Sequence, residues 1–294
     1  MSNPYLRYVF TGFAFSILWA SASSAGKIGL QSADGLVLFV VRFLVAGGLL
    51  LGYATLVQRD RLPQKKEWWH LTVFGLFNTT IYLGLFIVSL EAVTAGITSI
   101  ALALNPLLIS TMTALWLKRR VTRIEWTSIL IGFAGVTIAS YPLLKNSYAT
   151  LTGLLLLGTC MLSYSFGSVY YATVPWKLSR TAINGWQVFI GGMLLIPVAF
   201  LFHSKPNHFD PRFWFSIAWL VVPVSIGAVQ LWLYLLKSDA VKASLWLFLC
   251  PIFGLLFAAV LLKESITLFT IIGTLLVLLA LMLGQRQPQR KIEV

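Results

Sequence analysis

The chain has 294 residues, of which 58% are hydrophobic and only 11% charged, with a mean hydropathy of +0.84. Soluble domains carry about 25% charged residues, so this composition excludes a water-soluble globular protein. The net charge of +13 does not indicate nucleic-acid binding, because the basic residues lie in short segments between apolar runs, where membrane topology places them.

Ten apolar runs follow one another along the chain, each long enough to cross a bilayer as a helix. They predict transmembrane helices at about 6–26, 36–57, 68–89, 93–117, 124–142, 151–172, 181–202, 213–236, 241–262 and 266–284. The first run, flanked by Arg7 and "ASASSAG", also has the form of a signal peptide, but the internal repeat described below requires it as a helix. The connections are too short for a soluble domain, so we expect an all-α polytopic protein with one membrane domain, 1–294.

Lys and Arg residues are distributed unequally between the two sides of the predicted bundle. The side that carries the termini holds 16 of them: Arg7, Arg59, Arg61, Lys65, Lys66, Lys118, Arg119, Arg120, Arg123, Lys177, Arg180, Lys237, Lys242, Arg286, Arg290 and Lys291. The other side holds five: Lys27, Lys145, Lys205, Arg212 and Lys263. Short cytoplasmic loops carry the excess of positive charge, so we expect a multi-pass protein of the cell inner (plasma) membrane with both termini in the cytoplasm.

Two stretches in opposite halves of the chain have the same form. "ALALNPLLISTMTALWLKRR" (101–120) and "LWLFLCPIFGLLFAAVLLKES" (245–265) each carry a proline, Pro106 or Pro251, 12 residues before a lysine. Each proline falls near the middle of a predicted helix, where it removes a backbone hydrogen bond and bends the helix. Proline is common in membrane helices, but the matched positions favour a pair of hinges at the midplane.

The two prolines belong to longer matching blocks. Glu91-Ala-Val corresponds to Asp239-Ala-Val, and "AGGLLL" corresponds to "IGGMLL". The halves, 1–145 and 146–294, hold five predicted helices each, so the second half inserts upside down relative to the first. Inverted repeats of this kind are typical of secondary transporters, whose binding sites lie near the midplane between the repeats.

With these repeats, the sequence resembles the drug/metabolite transporter superfamily, in the branch built from two EamA-type five-helix repeats. The resemblance covers essentially the whole chain and rests on "LFVVRFLVAGGLL" (38–50), "LEAVTAGITSIALALNPLLISTMTALWLKRRVTRIEWTSILIGFAGV" (90–136) and "SDAVKASLWLFLCPIFGLLFAAVLLKESITLFTIIGTLLV" (238–277). One departure is Arg119, near where the family usually has Glu, while Lys263-Glu264 keeps the pattern in the second repeat. We interpret Arg119 as a loop charge that serves topology.

The resemblance implies that helices 1, 3, 4, 6, 8 and 9 surround a central cavity. The polar and aromatic residues of these helices are the candidate substrate-binding set: Trp19, Ser23, Asn78, Tyr82, Asn105, Tyr164, Ser168, Gln230, Tyr234 and Trp246. Rings supply apolar area and stacking, and amides fix the polar groups of a ligand in an apolar pocket. The alternatives are packing or an interface belt for the rings and hydrogen bonds to the own helix for the serines.

Arg42 lies on the order of 9 Å into helix 2 from the outer side, at 1.5 Å per residue. An intramembrane arginine is a functional hypothesis that calls for a partner, and Glu91 at the outer end of helix 3 is the nearest candidate by topology. We therefore predict an Arg42–Glu91 gating pair on the outer side. The alternative is that Arg42 snorkels to the outer headgroups.

The expected function is secondary transport of a small molecule across the inner membrane by alternating access, with amino-acid export favoured by resemblance and multidrug or toxicant efflux as the alternative. None of the nine acidic residues lies in a predicted helix centre, which favours exchange or facilitated diffusion over proton coupling. A membrane enzyme would need a catalytic set that the loops do not offer, and matched kinks disfavour a simple channel. Cys160 and Cys250 have no metal-type spacing, so we expect no metal or cofactor.

Besides the substrate, the expected partner is the lipid bilayer. The small-residue stretches "SASSAG" (21–26) and "GFAG" (132–135) permit close helix contacts within the chain or between two chains. A monomer is the default expectation, and a dimer is the alternative.

Overall fold

A computed structural model describes residues 4–145, 147–202, 205–262 and 266–285. The chain forms helices that we number α1 to α10: α1 Pro4–Gly29, α2 Gly35–Leu56, α3 Lys65–Ser89, α4 Ala95–Trp116, α5 Arg123–Ala139, α6 Leu151–Thr173, α7 Arg180–Phe202, α8 Pro211–Ser238, α9 Ala240–Leu245 continued by Trp246–Phe248 and Leu249–Leu262, and α10 Leu268–Gln285. The expected all-α membrane fold is confirmed, and each predicted span agrees with a helix to within three residues at either end. Several residues named in the sequence analysis lie outside the described residues: Lys263, Glu264, Arg286, Arg290 and Lys291.

Nine of these helices are long and apolar enough to cross a bilayer, and α5, with 17 residues, is only slightly shorter. Large apolar side chains on their outer surfaces stay exposed, among them Phe10, Leu155 and Leu275. Such a surface is stable in lipid but not in water. The helix ends therefore define two faces of the bundle, which we call the N-terminal face, where α1 begins, and the opposite face.

Equivalent helices of the two halves pack in pairs, α2 against α7 and α5 against α10. The α5–α10 pair crosses at Gly135 and Gly273, where a Cβ on Gly273 would lie 2.6 Å from the backbone nitrogen of Ala139. Only glycine permits this approach. The "GFAG" stretch of α5 therefore packs within the chain.

The other six helices, α1, α3, α4, α6, α8 and α9, pack together between these two pairs. On the opposite face the loops of the two halves are joined by backbone bonds, from Thr94 N–H to the Tyr148 carbonyl (3.2 Å) and from Thr150 N–H to the Ala92 carbonyl (3.1 Å). The central group contains many of the buried polar side chains, such as Asn105, Ser168 and Ser225.

Candidate functional site

Two central helices contain π-helical segments, Leu76–Ile81 in α3 and Leu220–Ala228 in α8. When Glu91 is aligned with Asp239, the first segment corresponds to 224–229 and overlaps the second. The sequence analysis did not predict them, although Pro223 lies inside the second segment. π-helical turns occur frequently at functional sites, and here they lie at matched positions of the two halves.

The two proline-containing helices are interrupted where the sequence analysis predicts kinks. α4 breaks at Leu104, two residues before Pro106, and α9 passes through the 3₁₀ segment Trp246–Phe248 before Pro251. Because proline cannot donate to the preceding turn, the helix tightens or opens there. The kinks are therefore present, and their role as hinges stays a prediction.

Aromatic rings from four central helices meet in one group, which we call the aromatic cluster: Phe15, Trp19, Tyr82, Tyr164 and Trp232. Tyr164 lies at its centre, with ring centroids 4.6 Å from Tyr82, 6.4 Å from Trp19 and 6.0 Å from Trp232. Phe15 stacks on Trp232 at 4.9 Å. The structure thus brings together three predicted residues, Trp19, Tyr82 and Tyr164.

Trp232 was missed by the sequence analysis, which selected Gln230 and Tyr234 on either side of it. Its ring is buried in the cluster, and its indole Nε1 has no hydrogen-bond partner among the described residues. A tryptophan near a helix end usually belongs to the interface belt. Lys237, at the charged end of α8, follows five residues later, and this spacing could have indicated that Trp232 lies inside the span rather than in the interface belt.

Several buried polar atoms on the helices that form the cluster lack a hydrogen-bond partner in the described part of the chain: Asn78 Oδ1, Tyr164 Oη, Ser168 Oγ and Gln230 Nε2. The Tyr164 and Ser168 hydroxyls lie close together, one turn apart on α6, but their geometry does not complete a bond. A buried polar atom left unpaired costs about 1–3 kcal/mol. Such atoms indicate a place where a ligand or water binds.

Asn105 has a different position from the other predicted amides. Its Nδ2 lies 3.2 Å from the Met161 sulfur, and its Oδ1 accepts a 3.2 Å hydrogen bond from the Ser165 hydroxyl. Both partners are on α6. Asn105 therefore holds the interrupted part of α4 against α6.

Two predicted residues lie away from the cluster. Ser23 is exposed, and its hydroxyl donates to the Ala20 carbonyl of its own helix at 2.8 Å. The Tyr234 ring lies at the N-terminal face beneath the guanidinium groups of Arg7 and Arg180, at 5.6 and 5.1 Å. These contacts fit the local backbone bond and the interface position that the sequence analysis gave as alternatives.

Trp246, in the 3₁₀ segment of α9, packs against α1 closer to the N-terminal face. A Cβ on Gly12 would collide with its ring. The Trp246 carbonyl accepts a 2.9 Å hydrogen bond from Ser16, and its ring lies 5.3 Å from that of Phe13. Trp246 thus joins α1 and α9 next to the aromatic cluster.

Arg42 and Glu91 are not paired in this structure. Arg42 is only 3% exposed, and its Nε donates a 2.9 Å hydrogen bond to the Ser225 hydroxyl. Glu91 is exposed, 4.0 Å from Lys205. The topology argument placed both residues on the same side but missed that Arg42 turns inward onto α8, so it does not snorkel to the headgroups either.

A chain of buried polar groups extends from this point and was missed by the sequence analysis. Asn184 on α7 donates to the Ser225 carbonyl (2.9 Å) and accepts from Gln187 (3.2 Å), whose Oε1 accepts from Thr79 on α3 (2.8 Å). Asn184 and Gln187, three residues apart, lie on one face of a helix. Two amides three residues apart in an apolar run could have indicated this polar face, but the family resemblance implied a cavity lined by helices other than α7.

A buried ion-pair network, which we call the charge node, lies at the N-terminal face: Arg119, Glu125 and Asp239. Arg119 Nη2 lies 2.8 Å from Glu125 Oε1 and 2.8 Å from Asp239 Oδ2, and the three side chains are 8%, 2% and 0% exposed. Burial alone lowers the pKa of Arg119, but the hydrogen bonds and negative charges of both carboxylates outweigh it and raise the pKa above its ordinary value. Arg119 is therefore a buried link between the two halves, and its interpretation as a loop charge is corrected.

Asp239 has a second contact that fixes the start of α9. Its Oδ1 accepts from the backbone N–H groups of Val241 (3.1 Å) and Lys242 (3.2 Å). Its counterpart in the first half is the exposed Glu91. The two faces of the bundle therefore differ in charge pairing although the two halves share a scaffold.

Comparison with known proteins gives the following similarities. A family model described as "EamA-like transporter family" matches the chain twice, over residues 6–141 and 151–284. The chain is 25% identical to an uncharacterized transporter of Synechocystis sp., over 100% of this chain and 94% of that protein. It is 29% identical to the uncharacterized inner membrane transporter YedA of Escherichia coli (strain K12), over 77% of this chain and 73% of YedA. A solved crystal structure shares the fold at a TM-score of 0.79, with 18% identity over 95% of this chain and 96% of that one.

Proposed function

The chain belongs to the EamA-like transporter family, and on that premise we propose that it exports amino acids or similarly small metabolites by alternating access. It is a multi-pass membrane transporter; the substrate class, the direction and the mechanism are the proposed part. The exact boundary of the two repeats, near residue 145, also stays a prediction, as do the inner-membrane location and a monomeric state.

The observation that carries the substrate proposal is the composition of the aromatic cluster and its surroundings. Rings from α1, α3, α6 and α8 offer apolar area, while Tyr164, Ser168 and Gln230 on these helices carry polar atoms that lack a hydrogen-bond partner among the described residues. Among the described residues no Asp or Glu belongs to this group. Such a site suits a small ligand that combines an apolar part with a few polar groups.

The absence of a carboxylate among the described cluster residues separates the two candidate functions. A cationic drug carries a net positive charge that needs a buried acidic side chain in lipid, whereas a zwitterionic metabolite carries its own counter-charge. The same feature supports exchange or facilitated diffusion rather than proton coupling, since proton relays in transporters use membrane-embedded acids. Multidrug efflux is therefore the alternative function, and the transport experiment described below distinguishes it from the proposal.

Alternating access is supported by the way the N-terminal face is closed. The charge node and the cation–π contacts of Arg7 and Arg180 with Tyr234 join several helix ends on that side. The matched kinks and π segments supply points where helices can bend. The excess of Lys and Arg on the same face supports its cytoplasmic location, so the proposed resting state is closed toward the cytoplasm.

The test is counterflow in proteoliposomes. Vesicles loaded with one unlabelled amino acid (Phe, Trp, Thr or Leu) are mixed with a trace of the labelled compound, and its accumulation is measured against protein-free vesicles. We expect accumulation of at least one amino acid without an ion gradient. Accumulation of bulky cations but of none of the four amino acids contradicts the proposal in favour of drug efflux.

A matched pair of tyrosine variants connects transport to the aromatic cluster. Because the Tyr164 hydroxyl is buried and has no hydrogen-bond partner among the described residues, Tyr164→Phe removes a desolvation cost and should not lower the thermal unfolding temperature. If the hydroxyl binds substrate, the variant raises the concentration for half-maximal counterflow by roughly tenfold, the contribution of one hydrogen bond. Tyr141→Phe is the control, since Tyr141 is exposed at the opposite face; equal transport by both variants excludes Tyr164 from the site.

A further inference from the structure

Two arginines in the described part of the chain have nearly buried side chains, Arg42 and Arg119. Arg119 lies at a face of the bundle between two carboxylates. Arg42 lies seven residues into α2, about 10 Å from the opposite face at 1.5 Å per residue. Burying a charge in an apolar interior is costly unless a counter-charge accompanies it.

The partners that the structure gives Arg42 do not neutralise it. Its Nε donates to Ser225, and its guanidinium carbon lies 5.2 and 5.3 Å from the centroids of the Phe39 and Phe43 rings. Among the described residues no carboxylate lies within 4.0 Å of it, and its two terminal nitrogens donate to no acceptor. The edge of the guanidinium that forms paired bonds with a carboxylate is therefore unused.

The surroundings of Arg42 connect it to the candidate substrate site. Ser225 lies in the π segment of α8, and the Phe39 and Phe43 rings that flank Arg42 belong to a buried apolar group against which Trp19 packs. Trp19 is also in the aromatic cluster, where its ring centroid lies 6.4 Å from that of Tyr164. A ligand held by Arg42 could thus place its apolar part among these rings.

We propose that Arg42 binds the carboxylate of the transported molecule and that the aromatic cluster accepts its apolar part. The ligand class is a small carboxylate with an apolar or aromatic group, which includes zwitterionic amino acids. This inference rests on the proposed function and names the group by which the substrate is recognised. The guanidinium binds a carboxylate through two parallel N–H···O bonds, and the ligand supplies the charge that the protein lacks there.

The rings are packed against each other in this structure, so binding requires them to separate. The bending points adjoin them: the π segment of α3 ends at Ile81, next to Tyr82, and that of α8 contains Ser225. Bending of α3 and α8 at these segments is the movement that, in this proposal, draws the Tyr82 and Trp232 rings away from Tyr164. A carboxylate ligand then replaces ring–ring contacts by an ion pair and new apolar contacts.

The competing explanation is purely structural, in which Arg42 only fastens α2 to α8 through Ser225. The two explanations differ in their dependence on the ligand. A fastening role predicts that Arg42 variants lose stability but leave ligand preference unchanged. A binding role predicts that the wild-type protein itself discriminates against ligands without a carboxylate.

The experiment measures ligand-induced shifts of the thermal unfolding temperature of the purified full chain. Phe, Trp, Thr and Leu are each compared with the corresponding amino-acid amide, which lacks the carboxylate, and 3-phenylpropionate, which lacks the amine, is added as a further probe. The variants are Arg42→Gln and Arg42→Lys, with Arg120→Gln, an exposed loop arginine, as the matched control. Bound ligand raises the unfolding temperature in proportion to its affinity.

We expect the wild type and the Arg120 variant to bind at least one free carboxylate roughly 10- to 100-fold more tightly than its amide, the contribution of a charge-assisted hydrogen bond. Arg42→Gln should remove this preference, and Arg42→Lys should retain part of it. The wild-type comparison decides the matter even if the Arg42 variants fail to fold.

The outcomes separate this inference from the proposed function. Equal binding of acid and amide, together with counterflow of an amino acid, overturns the role of Arg42 and leaves amino-acid transport standing. Binding of 3-phenylpropionate without counterflow of any amino acid overturns amino-acid transport and supports a carboxylate site. No shift by any carboxylate overturns the inference.

Discussion

The charge node permits a quantitative prediction about closure of the N-terminal face. Asp239 is fully buried, and its two oxygens accept two contacts from Arg119 Nη2 and two from backbone N–H groups. Asp239→Asn removes the charge but keeps an oxygen that can cap α9. Removing one partner of a buried ion pair costs about 3–5 kcal/mol, and the low end applies because Glu125 continues to pair with Arg119.

If the node exists only when the N-terminal face is closed, that cost falls on the closed state alone. A change of about 3 kcal/mol corresponds to roughly a 100-fold shift in the ratio of open to closed molecules. The variant should therefore expose side chains that lie beneath the node. Tyr8 is a suitable reporter position, because it is 2% exposed and its ring centroid lies 6.5 Å from that of Trp246 on α9, the helix whose start Asp239 caps.

The assay is labelling of Tyr8→Cys by a charged maleimide in nanodiscs, in a background in which Cys160 and Cys250 are replaced by serine. Asp239→Asn should raise the labelling rate up to about 100-fold, the same factor as the population shift. Glu91→Gln is the control matched by the repeat, because Glu91 is exposed and its 4.0 Å contact with Lys205 contributes little. An unchanged labelling rate combined with a lower unfolding temperature would refute the gate and leave a static structural link.

Two further predictions concern the scaffold. Gly273→Ala should destabilise the purified protein by about 1–3 kcal/mol, because the added methyl overlaps the backbone of α5. The control Gly48→Ala should be neutral or slightly stabilising, because nothing lies within 4 Å of the new methyl. Equal unfolding temperatures of the two variants would contradict the close α5–α10 crossing. Replacing Pro106 and Pro251 together by alanine should slow counterflow roughly 30-fold without weakening ligand binding, since two restored hydrogen bonds of about 1 kcal/mol each resist bending. A wild-type rate would exclude the hinges.

Much of the scaffold could be predicted because its signals are local or repeated. Span limits follow from hydropathy, and the interruptions at Pro106 and Pro251 follow from the chemistry of proline. Trp19, Tyr82 and Tyr164 were selected because polar and aromatic residues at mid-helix are conspicuous in an apolar sequence. These features need only the sequence of one helix, or of two helices related by the repeat.

The rest depends on contacts between distant segments. Arg119 and Asp239 are 120 residues apart, and nothing near Arg119 indicates that its loop folds under α9. The Arg42–Glu91 pair was inferred from a shared side of the membrane, yet rotation of α2 turns Arg42 toward Ser225. The choice of Tyr234 over Trp232 depended on the rotation of α8, which its π segment changes.

The two halves agree in their scaffold and differ in their charges, and this contrast bears on mechanism. In inverted repeats, the two end states of the cycle are related by exchanging the conformations of the halves. Features present in both halves, such as the helix interruptions and π segments, therefore serve both states. A feature that is present in only one of the two halves sets the relative energies of the two states. Asp239 is buried in the charge node while its counterpart Glu91 is exposed, so among the described residues the node joins the two halves by buried ion pairs at the N-terminal face, and Glu91 forms no such pair at the other. In the proposed alternating-access cycle, ligand binding would contribute to opening this face, because a ligand shifts an equilibrium only by its differential affinity for the two states. If Arg42 binds the carboxylate as proposed, the ion pair that forms once the rings separate would give the ligand such a differential affinity.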